Sequence, residues 1–253
     1  MRPRSIFGPS EAANGSGVRA VQYSWGGHSF RVRPWRVGSD EVYLGAITGS
    51  SPPDPGAVAQ ARDALAAAGW RRIYTNALNR SEIEGFEAAG FTVKDRLHLL
   101  THSLRDLSRI TGQAHLRRER RSDRGAILAV DSEAFSEFWR FDEAGIREAV
   151  TATPTARVRV ADQGAVVGYA ISGRAGAVGY LQRLAVSPRF QGQGLGRQLV
   201  TDGLHWMRRR GARSALVNTQ YENERAYRLY LDMGFRPEPE GLVVLECELV
   251  PAS

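Results

Sequence analysis

Apolar residues in this chain recur with two periods, and the alternation between them lays out a mixed α/β plan. Leu195, Leu199, Val200, Trp206 and Met207 fall on one face at spacings near 3.6 and predict a helix after residue 194. Arg210-Gly211, a basic residue and then glycine, marks its end. Val158 and Val160 alternate with Arg157 and Arg159, which predicts an edge-like strand over 156–161. Around these, the pattern predicts a short strand over 116–120, a helix over 123–135 carrying Ile127, Leu128 and Val130, and a second over 142–150 with Ile146 and Val150. Asp162-Gln163-Gly164 turns the chain into a strand over 165–172, and Arg174-Ala175-Gly176 into one over 178–186. A strand over 214–218, a helix over 222–233 and a terminal hairpin ending near Leu249 complete the run.

Residues 64–104 hold a fainter copy of residues 207–249. Asn79 precedes Gly90-Phe91 as Asn223 precedes Gly234-Phe235, with twelve residues from Asn to Phe in both. An aromatic residue stands five before each phenylalanine, Phe86 in one copy and Tyr230 in the other. Ahead of the first copy, a strand over 43–48 and a helix over 57–68 flank Gly49-Ser50-Ser51-Pro52-Pro53-Asp54-Pro55-Gly56. Three prolines there remove three backbone donors, and Asp54 would repel an anion.

The matching position in the second copy has the opposite character. Leu184, Ala185 and Val186 end a strand, Ser187-Pro188 follows, and glycines stand at 192, 194 and 196 between Arg189 and Arg197. Glycine lets backbone N–H groups converge, and the helix that starts here adds the positive end of its dipole. Strand, glycine-rich loop and helix make an anion cradle suited to a pyrophosphate. A Walker loop is excluded, since it needs lysine after glycine and the single lysine of the chain is Lys94. The Gly-x-Gly-x-x-Gly dinucleotide fingerprint does not match either.

The arrangement Val186-x-Pro188-x-x-Gln191-Gly192-x-Gly194-x-Gly196, followed by Asn223, Tyr230 and Met233-Gly234-Phe235, resembles the GCN5-related N-acetyltransferase (GNAT) superfamily over residues 114–249. The resemblance implies a mixed-sheet acyl-CoA N-acyltransferase fold, with a truncated GNAT-like half at 18–104, a connection at 105–113 and a complete catalytic domain at 114–253. It implies acetyl-CoA as cosubstrate, without a metal. It also implies that strand 180–186 splays from the next strand, so that Leu184, Ala185 and Val186 meet the pantetheine arm with their backbone. The N–H groups of Gly192, Gln193, Gly194, Leu195, Gly196 and Arg197 would hold the pyrophosphate. Asn223 would bond the arm, or cap its helix, or both. Tyr230, with Tyr227 as the weaker choice, would protonate the departing thiolate. Relatives carry a glutamate base at positions that fall on Gln182 or Asn218, and neither side chain takes a proton. Glu133, Glu137, Asp142 and Glu143, in the region of the first two helices, could supply the base or attract a cationic amine. Phe135, Phe138, Trp139 and Phe141 suggest an aromatic wall for the acceptor. The resemblance implies a primary amine as acceptor, on a small molecule or on a peptide N-terminus. A non-catalytic acyl-CoA-binding module is the alternative.

Composition trims the remaining classes. The net charge is +7, but of 34 basic residues all except Lys94 are arginine, which points to codon preference rather than a nucleic-acid patch. The Arg117-Arg118-Glu119-Arg120-Arg121 cluster reads as a solvated strand leading into a helix capped by Ser122 or Asp123. One cysteine, Cys247, excludes an internal disulfide and fits a reducing compartment. Residues 1–17 read as a polar, disordered tail without a signal sequence, and no apolar run is long enough for a membrane span. The expectation is a cytoplasmic protein.

Overall fold

The structure, a computed structural model, describes residues 20–47, 52–109, 112 and 114–250. The 1–17 tail and part of the 105–113 connection lie outside them. The described chain divides into two compact units, which contain residues 20–98 with 239–250 and residues 99–238 respectively.

In unit 1, β1 (Val21–Trp25), β2 (His28–Pro34) and β3 (Glu41–Ala46) form an antiparallel meander. Helix α1 (Pro55–Ala67) then carries the chain to β4 (Arg72–Thr75), parallel to β3, and α2 (Arg80–Ala88) carries it to β5 (Thr92–His102). The gap between β4 and β5 is filled from the other end of the chain. β12 (Leu242–Glu248) pairs antiparallel with both, Cys247 opposite Ile73 and Leu242 opposite Leu97. This differs from the expected terminal hairpin of the second half. Val243, Leu245, Cys247 and Leu249 are all buried, and they join Phe30, Val32, Leu44, Ile73 and Phe86 in the core of unit 1. A strand between β4 and β5 also satisfies the facing backbone groups of both, which burial requires.

Unit 2 holds β6 (His115–Arg118), α3 (Arg124–Ala134), a 3-10 turn at Glu137–Trp139 and α4 (Glu143–Thr151). Next come β7 (Thr155–Asp162), β8 (Val166–Ala175), β9 (Val178–Val186), α5 (Leu195–Arg209), β10 (Ser214–Gln220), α6 (Glu224–Asp232) and the two-residue β11 (Arg236–Pro237). Four antiparallel strands run in the order β6-β7-β8-β9, and β10 adds parallel to β9. The sheet is covered on both sides. Leu199, Val200, Leu204 and Met207 of α5 pack with Leu181, Ala170 and Ala215. Ile127, Val130 and Ile146 of α3 and α4 pack with Val158, Tyr169, Ile171 and Ala185. Each such large side chain contributes roughly 1.5–3 kcal/mol by leaving water.

The sequence repeat is a repeat of conformation. Asn79 caps α2 and Asn223 caps α6. Gly90 and Gly234 end those helices at φ +89 and +88. The following phenylalanine donates its N–H to the aromatic residue five before it, Phe91 to Phe86 at 3.1 Å and Phe235 to Tyr230 at 3.0 Å.

The arginine cluster is not simply solvated. Arg117 is 14 % exposed and bridges Asp123 and Asp162, each at 2.7 Å. Asp123 also accepts the Arg120 N–H at 2.6 Å, so its carboxylate is committed there and makes no cap bond to α3. The Arg117 guanidinium, chiefly, holds the Asp123 carboxyl down at about 2 against an ordinary 3.8.

Two outcomes follow from this architecture. A chain ended at Glu238 loses β12, and unit 1 becomes protease-sensitive within residues 20–98 although the deletion is C-terminal. The depressed Asp123 pKa contributes stability above its unfolded value, which is lost as pH falls from about 4 towards 2. Asp123→Asn flattens that part of the acid-denaturation curve followed by circular dichroism.

Candidate functional site

β9 follows β8 along its length, from Val178 opposite Ala175 to Val186 opposite Gly168. Its other edge is different. Pairing with β10 covers Ser214, Ala215 and Leu216 against Val178, Gly179 and Tyr180, and goes no further, although β9 runs on to Val186 and β10 to Gln220. From residue 181 onward the two parallel strands have separated. Leu184 and Val186 turn their backbone groups to this open side, where they remain for an extended ligand. Ala185, expected to join them, instead faces Tyr169 of β8, as the Ser187 N–H bond to the Val167 carbonyl two residues on requires. The Val186 carbonyl is already used, since it accepts from Gln191 Nε2 at 2.9 Å. Leu184 is half-buried; Ala185 is buried, and its side chain belongs to the α3–α4 side of the core.

The loop after β9 is held by its own residues. Pro188–Phe190 form a 3-10 turn, with Phe190 N–H bonded to the Ser187 carbonyl at 2.8 Å. Gly192 and Gly194 adopt φ +80 and +77, the left-handed region that favours glycine. A methyl group on either would meet nothing within 4 Å, so open space lies beside both. Gly194 is the N-cap of α5 without a side-chain cap, and the first helical bond runs from Gln198 N–H to its carbonyl. The N–H groups of Leu195, Gly196 and Arg197 therefore form the donor end of a 15-residue helix. Gly192, Gln193 and Gly194 are exposed beside it. At Gly196 a Cβ would stand 3.3 Å from Leu229 of α6, so glycine sets how closely the two helices approach.

α6 borders the loop. Arg225 donates to Gln191 Oε1, Arg197 pairs with Asp232 at 3.4 Å, and an open groove of about 500 Å³ is lined by Glu224, Arg225, Arg228, Leu229 and Asp232. Asn223 accepts the Ala226 N–H at 3.1 Å through Oδ1 and so acts as a helix cap; its NH2 group takes no part in that bond. Tyr230 is buried in the α5-side core, 5.4 Å from the Phe235 ring. Burial pushes its phenol well above the ordinary 10.0, and the Arg183 charge opposes that rise.

Several carboxylates of the first two helices are engaged. Glu133 accepts from Ser187 Oγ at 2.7 Å, Asp142 caps α4 through the Gly145 N–H at 2.8 Å, and Glu143 faces Arg147 at 3.4 Å. Gln182 is the extra residue of a β-bulge in β9, between the pairs Leu181–Ser172 and Arg183–Ile171, and its Oε1 is buried with no donor among the described residues.

A buried polar group here carried no prediction. Asp131 is fully buried and accepts four hydrogen bonds, from Tyr169 Oη, Arg183 Nε (2.7 Å), Arg183 Nη2 (2.8 Å) and the Phe141 N–H (2.7 Å). The signal available in sequence is an aspartate four residues after Ile127, on the apolar face of its helix.

In unit 1 the corresponding helix start is closed by protein. Asp54 caps α1 through the Ala57 N–H at 2.9 Å and pairs with His28 at 3.0 Å, so a carboxylate already stands at the donor end. A Cβ on Gly85 of α2 would fall 2.1 Å from the Pro53 carbonyl, which leaves no room between them. Among the described residues no group of three or more His, Cys, Asp or Glu is placed to hold a metal, and no helix is long and apolar enough to cross a membrane.

A family model described as "Acetyltransferase (GNAT) family" matches residues 113–235. The mycothiol acetyltransferase of Nocardia farcinica is 40% identical over 60 residues, 24% of this chain and 20% of that protein. That of Rhodococcus jostii is 41% identical over 59 residues, 23% and 19% of the two chains. The match thus spans about a fifth of the length of these curated relatives. Among solved structures, a tandem GNAT protein from the clavulanic acid biosynthesis pathway superposes with a TM-score of 0.68 at 16% identity, covering 97% of this chain and 87% of its own. A GCN5-related N-acetyltransferase from Kribbella flavida gives 0.62 at 16% identity, covering 94% and 91%. These likenesses concern the fold, and the first extends over both halves of the chain.

The buried pair yields a stability prediction. Arg183→Met leaves the Asp131 charge uncompensated in the core and lowers the unfolding free energy by about 3–5 kcal/mol in urea denaturation. Replacing both partners, as Asp131→Asn with Arg183→Met, costs much less.

Proposed function

Residues 113–235 belong to the GNAT acetyltransferase family, and from that premise we propose that the chain transfers the acetyl group of acetyl-CoA to a primary amine, using unit 2 alone. The observation that carries this reading is the separation of β9 from β10 directly ahead of an open, glycine-lined helix start. An extended thiol ester arm with a pyrophosphate at one end needs both features together, and the residues present fit it.

In this reading Gly192, Gln193, Gly194, Leu195, Gly196 and Arg197 hold the pyrophosphate through backbone N–H groups, and Arg197 adds charge. Leu184 meets the arm along the strand, with the N–H rather than the carbonyl of Val186. Asn223 contributes its free NH2 end while its oxygen caps α6. Acetyl-CoA supplies an activated acyl group, and the chain's task is to orient it, stabilise the developing oxyanion by backbone donors and return a proton to sulfur. Tyr230 is the proton donor. Its raised pKa keeps the phenol protonated across the physiological range, so it donates without prior ionisation.

Gln182 and Asn218 cannot accept a proton, and Glu133, Asp142 and Glu143 already have partners. No base is assigned: the amine arrives neutral, or gives its proton to water relayed by backbone carbonyls or to a carboxylate from another segment. Unit 1, with Asp54 at its helix start, is proposed to be structural. The lack of a carboxylate at Gln182 and Asn218 favours one competing reading, an acyl-CoA-binding module without turnover.

Calorimetric titration with acetyl-CoA, followed by consumption assays against phenethylamine and a short peptide with a free α-amine, separates them. Binding with turnover supports the enzyme; binding without turnover supports the module. Gly194→Asp places a carboxylate in the cradle and abolishes binding. Tyr230→Phe lowers kcat by about 10²–10⁴-fold and leaves the acetyl-CoA Kd within about twofold. The wild-type rate rises with pH towards the pKa of the amine, with no descending limb from phenol ionisation up to pH 10, the ordinary tyrosine value.

A further inference from the structure

On the α3 and α4 side of β9, the bulge and the buried ion pair meet. An extra residue in a strand breaks the regular pleat, so that neighbouring side chains can share one side of the sheet. Gln182 Oε1 lies 2.7 Å from where a Cβ on Gly173 would stand, beside the Thr153 hydroxyl at the end of α4. Arg183, the next residue, reaches Asp131 of α3.

The pair also holds main chain. Arg183 Nη2 donates to the Trp139 carbonyl at 2.6 Å, and Asp131 Oδ1 accepts the Phe141 N–H at 2.7 Å. Two backbone groups of the 135–141 turn are thereby tied to a charge pair anchored on β9. The Phe135 and Phe141 rings lie 3.4 and 3.7 Å from the guanidinium carbon. Carried on the same turn, Phe138 and Trp139 sit edge to face with ring centres 5.0 Å apart. A low-dielectric network with each Asp131 bond made fixes one arrangement, because any displacement leaves a buried charge unpaired.

We propose that Arg183 and Asp131 are positioning residues for the acceptor: they lock the 135–141 turn against the β9 bulge, so that an amine with an aromatic or aliphatic body meets a preorganised wall. Gln182 Oε1, buried beside the bulge without a donor, accepts an N–H of that amine. Preorganisation spares the ordering cost that a loose turn would impose on binding. The proposal rests on the acetyltransferase reading for its acceptor, while the clamp itself is measurable without one.

The test compares wild type, Arg183→Lys and the Asp131→Asn/Arg183→Met double variant, which removes both charges and so retains the fold. Lysine keeps the charge but cannot bridge Asp131 and the Trp139 carbonyl together. Amide hydrogen exchange over 136–141 is expected to rise about tenfold or more in both variants. The acetyl-CoA Kd stays within about twofold, and KM for phenethylamine or the peptide amine rises about tenfold at nearly constant kcat. Tyr169→Phe removes one of the four Asp131 bonds, spares the clamp and leaves exchange over 136–141 unchanged. Unchanged exchange in the double variant overturns the proposal. Faster exchange with KM unmoved also overturns it, reducing the pair to a structural brace. A wild type that binds acetyl-CoA yet acetylates neither amine counts against it as well. Failure of wild type to bind acetyl-CoA overturns the acetyltransferase reading instead.

Discussion

β9 is hydrogen-bonded along one edge to β8 but along the other only over its first three residues, because β10 pairs with 178–180 and then separates. A strand in the middle of a sheet cannot leave its remaining N–H and C=O groups unsatisfied without cost. Each neighbouring feature answers that constraint. Gln191 folds back to serve the Val186 carbonyl. The loop then turns through two left-handed glycines into α5, whose unpaired donors stand next to the open edge. The cleft exists because a sheet interior is held open, and a ligand able to complete it is favoured by the groups left unpaired.

The two halves show how the same local devices can serve opposite ends. Both use an Asn-capped helix, a terminal left-handed glycine and an aromatic pair. In unit 1 the preceding helix start is satisfied from within by Asp54, and Pro53 lies against α2. In unit 2 the equivalent donors have glycine in place of a capping side chain. An internal carboxylate and an external anion are alternatives for one dipole, and the choice of capping residue decides between them.

Electrostatics divides similarly. Arg117 with Asp123 and Asp162 is a cluster at the edge of the core that depresses carboxyl pKa values and gives way in acid. Asp131 with Arg183 is fully buried, carries four hydrogen bonds on one carboxylate, and specifies geometry more than it adds net stability.

The sequence by itself determined the local chemistry. Periodicity placed α3, α4, α5 and α6 and the strands of unit 2 within a few residues, because amphipathic spacing reflects which side of one element is buried. The left-handed glycines at 192 and 194 and the Asn-to-Phe repeat were likewise legible, since each depends on backbone preferences over a short segment. What only the tertiary structure decided involves partners far apart in the chain. Alternation in 243–249 marks a strand but not which strands it pairs with, and its partners, such as Leu97 for Leu242 and Ile73 for Cys247, lie far earlier in the chain. The bulge at Gln182 and the meeting of Asp131 with Arg183 arise from strand register and helix packing. Charge and spacing along the chain are blind to both, because a buried ion pair is set by which surfaces face each other and not by the order of residues.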